Sequence, residues 1–419
     1  MSTRQDFQTP KVEILGGVLL LSATVAALVL ANSPWSTGFI DFWHTEVRLG
    51  WSSTAVELTI EGWINDALMA IFFFGVGIEI KQELVLGQLA HLKDALLPVG
   101  AAVGGVILPA LIYLGFTAGT PGVHGWGIPM ATDIAFVMGL VALAGRMVPS
   151  ALKVTLLALA VVDDIIAIVV IALFYGDGVD VAWLIAALIG LSVVSLMKVT
   201  GVRAIGWYVL VGSVIWYFTF RSGVHATIAG VTLGLLTPVV SDRSGAKSNP
   251  DDGSIVYEEF EVVDETSVAQ RLENRLTPVS AYLIVPLFAL ANAGISLGSG
   301  ALSDAVSSPI SRGIFFGLVA GKVTGVTLAT AILVRLGMAK LPPGITMSHI
   351  VSMGLAAGIG FTVSLFITGL AFENPMMVLE AKAGILAASL VSGLLGLAGF
   401  WFMDRRRRQE LSALTVAAS

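Results

Sequence analysis

Runs of about twenty apolar residues recur along this chain, and no other feature limits its fold so strongly. One of them, ALKVTLLALAVVDDIIAIVVIALFY, reaches to Tyr175. A helix of roughly 20 apolar residues crosses the ~30 Å hydrocarbon core of a bilayer. Within lipid, every backbone N–H and C=O must find its partner inside the protein, which leaves helices or closed barrels. Only 12% of the 419 residues are charged and 56% are hydrophobic, whereas soluble domains carry about 25% charged residues. The chain therefore reads as an all-α polytopic membrane protein, a single transmembrane unit over 1–419.

Twelve spans can be drawn, at 12–31, 59–80, 95–116, 122–144, 150–175, 182–200, 205–220, 223–240, 277–297, 312–335, 345–371 and 380–403. An even number puts both termini on one side. A cytoplasmic N-terminus then places most of the 23 Lys and Arg residues inside, leaving Arg48, Arg221, Arg312 and Lys382 outside and Lys322 within a span, as the positive-inside rule requires. The net charge of −6 is uninformative beside that asymmetry. The N-terminus lacks a small-residue cleavage site and reads as a retained first helix. The absence of cysteine excludes disulfides and thiolate metal sites.

Three segments fall outside the spans. Residues 41–60 alternate polar and apolar around a glycine-containing turn, which predicts a short external β-hairpin. Residues 241–276 form a long cytoplasmic connection, acidic between Asp251 and Glu265, and read as a solvated linker. Residues 404–419 form a cytoplasmic tail whose Arg405–Arg408 run anchors the topology against anionic lipid.

A shift of 229 residues lays Lys153 on Lys382 and Asp133 on Thr362. The repeated unit would be three helices, spans 3–5 against spans 10–12. Because three is odd, the copies would be inverted, as in many secondary transporters. Span four carries Gly127-Ile128-Pro129 before Thr132-Asp133, and span eleven carries Gly354, Gly358 and Gly360 before Thr362. Matched breaks predict two discontinuous helices whose freed backbone groups line a polar cavity. Their ends would carry partial charges, for which Asp133 and Lys322 are suitable compensators.

Asp163 and Asp164 interrupt the fifth span. One aspartate at a helix centre costs about 2.5–3.5 kcal/mol on insertion scales, so an adjacent pair without a function is an improbable burden. The plainer role, an interhelical hydrogen bond, carries less weight. Neighbours on a helix point about 100° apart, so one can face a cavity while the other faces another helix. Under the 229-residue shift the pair falls on Ser392-Gly393, which confines the chemistry to one half. Lys322 lies ten residues past Arg312 and thirteen before Arg335, too central to snorkel. Three carboxylates against one ammonium sum to −2 when ionised, a site that attracts protons or a hard cation through oxygen ligands. Weaker candidates are Glu79 and Glu83 at the inner end of span two, where interfacial charge is as good a reading. His225, in RSGVHATIAG, lies near the outer interface, and Glu273 stands near Arg271, where an ion pair is the plain reading.

Together these stretches resemble the NhaA family of bacterial sodium/proton antiporters, which the inverted-repeat transporters include. The resemblance is carried by ATDIAFVMG, PSALKVTLLALAVVDDIIAIVVIALFYG, SGVHATIAGV, RLENRLTP, PLFALANAGI, GKVTG and GIGFTVSLFI, in that order. It implies twelve helices in a bacterial inner membrane, with spans four and eleven unwound and crossing. It implies that Asp163 and Asp164 bind Na⁺ (or Li⁺) and protons, that Thr132 and Asp133 contribute at the crossing, and that Lys322 pairs with Asp163 or compensates helix ends. Glu79, Glu83, His225 and Glu273 match positions linked to pH-dependent activation, and the β-hairpin matches the family's dimerisation element, so a homodimer is implied. The long acidic 241–276 loop departs from the pattern.

The expected activity is alternating-access exchange of cytoplasmic Na⁺ for external H⁺, electrogenic and pH-regulated. The expectation includes no cofactor, no nucleic-acid partner and no enzymatic chemistry. An ion-coupled symporter of an organic solute is the alternative, weakened by the acidity of the site. An intramembrane aspartyl protease would show Gly-x-Gly-Asp where Asp163 follows Ala-Val-Val. A retinal pump using Lys322 as a Schiff base would have seven helices.

Overall fold

The computed structural model describes residues 9–50, 55–176, 178–200, 202, 205–239, 268–295, 298, 303, 305 and 307–418. Helix α1 (Thr9–Ala31) is followed by the short α2 (Ser36–Trp43). Strands β1 (Glu46–Leu49) and β2 (Val56–Thr59) pair antiparallel, with Glu46 opposite Thr59 and Leu49 opposite Val56. Helix α3 (Ile60–Val85) leads to α4 (Leu92–Thr117). Next come a 3-10 half-helix, Pro121–Met130, and α5 (Ile134–Ala144). Helices α6 (Ser150–Phe174), α7 (Val181–Val199), α8 (Ile205–Arg221) and α9 (Thr227–Leu236) follow. The C-terminal part holds α10 (Val268–Asn292) and α11 (Pro309–Arg335). It ends with α12 (Met347–Ala357), α13 (Phe361–Ala371) and α14 (Pro375–Ala418).

Among the described residues, 8 helices are long and apolar enough to cross a membrane, or up to 10 when each of two bent pairs is one span. The pairs are the Pro121–Met130 half-helix with the helix after it, bent by 40°, and α12 with α13, bent by 47°. Both breaks fall within the spans expected to be discontinuous. The outer surface is studded with large apolar side chains, Leu173 and Val199 among the most exposed, a pattern that lipid solvates and water does not.

Three expectations need correction at their edges. Residues 41–43 belong to α2, not to a hairpin, because this short helix buries Trp43 against the core. The hairpin is the β1–β2 pair alone. Two strands are marginal by themselves; here the Trp63 indole donates to Val47 O at 2.9 Å and ties β1 to α3. Helix α10 begins at Val268, so the end of the expected 241–276 loop is helical; residues 240–267 lie outside the described residues. Its first turns are polar on average but amphipathic: Ala269, Leu272 and Leu276 pack against Phe74, Ile78 and Val239. The expected tail from 404 is mostly a continuation of α14, with the Arg405 guanidinium 5.4 Å over the Trp401 ring.

Close helix packing uses glycine. A Cβ on Gly325 of α11 would collide with the backbone of Gly104 in α4, and one on Gly104 with the carbonyl of Gly325. Without a hydrophobic drive between helices in lipid, such backbone contact is what holds them. It also carries Lys322, one turn earlier on α11, toward the centre.

Candidate functional site

At the two breaks the chain leaves helical geometry, and the freed backbone groups meet each other. The Asp133 N–H donates to Ile359 O at 2.7 Å, across the two broken spans. Asp133 is the N-cap of α5, where Oδ1 accepts from Phe136 N at 3.0 Å. Its Oδ2 accepts from both Thr362 N (2.9 Å) and Thr362 Oγ1 (2.6 Å), at the start of α13. One carboxylate thus serves two helix N-termini, the ends that carry positive partial charge. The two residues that the 229-residue shift superposes, Asp133 and Thr362, are hydrogen-bonded partners. Glycine permits the crossing: a Cβ on Gly360 would stand 3.1 Å from Ala131 O.

Helix α6 runs beside the crossing and buries both aspartates, Asp163 at 1% and Asp164 at 4% exposure. Lys322 follows a π-helical turn, Gly317–Gly321, an irregularity common at functional positions. Its Nζ donates to Asp163 Oδ2 at 2.6 Å, with neither side chain exposed, and also to Met130 O at the C-terminal end of the Pro121–Met130 half-helix. Lys322 therefore compensates both a carboxylate and a negative helix end. Thr132 Oγ1 stands 2.6 Å from Asp163 Oδ2 and 2.9 Å from Ala357 O. A hydroxyl has one proton, so Thr132 donates to one or the other. Asp163 Oδ1 is buried and has no hydrogen-bond partner among the described residues.

Asp164 differs. Its carboxylate makes no hydrogen bond among the described residues, and the charges acting on it are Glu79, Asp163 and Asp133, with Lys322 opposing. Of these two neighbours in sequence, Asp163 is engaged through Oδ2 alone and Asp164 through neither oxygen among the described residues. Among the described residues, no group of three or more His, Asp or Glu could hold a metal ion. A cation here would rely on the two aspartates with hydroxyl and carbonyl oxygens, a donor set suited to hard ions.

The weaker candidates separate. Glu79 is half-buried on α3, coupled electrostatically to Asp164. One turn on, Glu83 accepts from Gln88 N at 2.7 Å and closes the end of α3. Glu273 accepts from Gln82 Nε2 at 2.7 Å, so its neighbour is α3 rather than the Arg271 of the plain reading. His225 stands apart, its Nε2 against the backbone carbonyl of Tyr175 at the C-terminal end of α6.

The profile of the family described as Na+/H+ antiporter 1 matches residues 8–400. The chain belongs to this family. Relatives named Na(+)/H(+) antiporter NhaA include one from Janthinobacterium sp. (strain Marseille), 42% identical and covering 96% of this chain and 93% of its own. Another, from Escherichia coli O139:H28, is 43% identical over 94% and 96%. Na(+)/H(+) antiporter NhaA 2 of Sorangium cellulosum is 44% identical over 92% and 87%. The symporter alternative gains no support from this company.

In this member of the Na+/H+ antiporter 1 family, parts of the site carry little or no sequence signal. Thr362, a marker of the repeat in sequence, supplies two of the hydrogen bonds to Asp133; its pairing with Asp133 under the shift is the available signal. Ser364 Oγ donates to Ile128 O at 2.8 Å, and the carbonyls of Met130, Ala357 and Ile359 take part. Carbonyls have no sequence signature, because every residue carries one.

Proposed function

We propose that this chain exchanges cytoplasmic Na⁺ (or Li⁺) for external H⁺ by alternating access, using Asp163 and Asp164 as the shared binding site for cation and protons. The observation that carries this is the asymmetry of the pair: Asp163 is held by Lys322 at 2.6 Å while Asp164, equally buried, makes no hydrogen bond among the described residues. An uncompensated buried carboxylate is costly, so Asp164 is satisfied by a proton or a cation from outside the protein. A cation drawn to it also attracts Asp163 and competes with the Lys322 ammonium for that oxygen. Protons returning to the carboxylates release the cation and restore the Lys322 contact. Thr132 supplies the neighbouring hydroxyl, and Asp133 holds the two half-helix ends together while the site changes access. Exchange of two protons for one Na⁺ would move one net charge per cycle.

The finer architecture belongs to the same proposal. Helices α8 and α9, 17 and 10 residues long, would bring the spans to twelve, with both termini cytoplasmic in an inner membrane. The copies over spans 3–5 and 10–12 would be inverted. The β1–β2 pair would join two copies into a homodimer, and Glu79, Glu83, Glu273 and His225 would tune activity with pH. The exchange reading is tested in proteoliposomes by following proton movement on adding Na⁺ or Li⁺. Wild type should respond and both Asp163→Asn and Asp164→Asn should not; full exchange in either variant would sink the assignment.

A further inference from the structure

Tyr175 has no part in the chemistry above beyond offering its backbone carbonyl to His225. It caps the C-terminal end of α6 and is buried. Its hydroxyl accepts from Gly127 N at 3.0 Å and donates to His124 O at 2.8 Å. Those two groups lie three residues apart in the Pro121–Met130 half-helix, the spacing that closes a 3-10 turn. The phenol therefore bridges the donor and acceptor of a single turn, binding that turn to α6. Gly127 makes room for it: a Cβ there would stand 2.7 Å from the Tyr175 hydroxyl.

Side chains of other elements hold the half-helix as well, Lys322 at Met130 O among them. Tyr113 donates to Gly122 O at 2.6 Å, and Ser364 to Ile128 O at 2.8 Å. Among these clamps, Tyr175 alone belongs to the helix that bears Asp163 and Asp164. The clamped turn runs on through Met130, whose carbonyl accepts from Lys322, to Thr132, which contacts Asp163. The spacing between these groups and the aspartates thus depends on where the half-helix sits along α6.

We propose that Tyr175 is a positioning residue for cation binding: its hydroxyl sets the half-helix against α6, and with it the distance of the Thr132 and Met130 oxygens from the Asp163-Asp164 pair. This rests on the exchange reading. Tyr175→Phe keeps the ring and removes both contacts. In proteoliposomes it should raise the apparent KM for Na⁺ about fivefold, roughly the worth of one net hydrogen bond, with little change in maximal rate. Gly127→Ala, which pushes the hydroxyl away while keeping the tyrosine, should shift KM in the same direction and carries the test if the first variant does not fold. Wild-type KM in either folded variant, with only a lowered Tm, would make the clamp merely structural and overturn the proposal. A wild type silent toward Na⁺ would sink the exchange reading and this proposal together, whereas active wild type with unmoved variants sinks the proposal alone.

Discussion

Asp163 and Asp164 occupy the same depth in the same helix, and their different partners give them different energetics. Asp163 is neutralised by Lys322, with both side chains inaccessible. Removing one member of a buried pair leaves an uncompensated charge, at a cost of about 3–5 kcal/mol. Lys322→Ala should therefore lower Tm in detergent markedly as well as exchange. Asp164 makes no hydrogen bond among the described residues, so Asp164→Asn removes a costly buried charge and breaks no contact. It should keep or raise Tm while abolishing exchange. A large fall in Tm for Asp164→Asn would show that this carboxylate is structural. The aspartate pair and Lys322 were legible in the sequence because charge in an apolar run is conspicuous. Helix spacing alone separates the two by about 100° without saying which one Lys322 faces; the family resemblance points to Asp163 or to the helix ends, and Lys322 serves both, donating to Asp163 Oδ2 and to Met130 O.

Half-helices and small residues do the positioning at the element scale. The breaks at Ala131–Asp133 and Gly358–Gly360 follow from glycine and proline in otherwise apolar runs, and were readable as such. Their crossing is implied by the family resemblance, and the 229-residue shift pairs Asp133 with Thr362; the bonds made there, Asp133–Thr362 and Asp133–Ile359, leave no local signal because they join residues more than 220 positions apart. The start of α10 escaped hydropathy for the opposite reason: a polar amphipathic turn has a low average but a usable apolar face. Backbone contact between α4 and α11 makes a sharp prediction. Gly325→Val places side-chain atoms into the Gly104 backbone and should cost several kcal/mol through overpacking, about the upper end of 1–3. Gly75→Ala, with nothing within 4 Å of its Cβ, should leave Tm unchanged. Equal thermal stability for the two variants would refute glycine-mediated packing between α4 and α11.

For the whole molecule, the proposed exchange of unequal charge couples transport to the membrane potential, worth about 2.3 kcal/mol per charge per 100 mV. In proteoliposomes without a Na⁺ or pH gradient, an imposed potassium-diffusion potential should drive Na⁺ movement, and reversing its sign should reverse the direction. Indifference to the potential would exclude net charge movement.

The membrane environment, the two breaks and the chemical character of the site came from the sequence alone, because each is a local property of composition or spacing. Only the tertiary structure decided that Lys322 serves Asp163 and the Met130 carbonyl together and leaves Asp164 without a hydrogen bond among the described residues, that Asp133 caps two helices at once, and that a tyrosine at the end of α6 bridges a turn of the half-helix. Those depend on the angle and depth at which distant helices cross. Glycine contacts and backbone carbonyls set that geometry, and they leave no side-chain pattern to read.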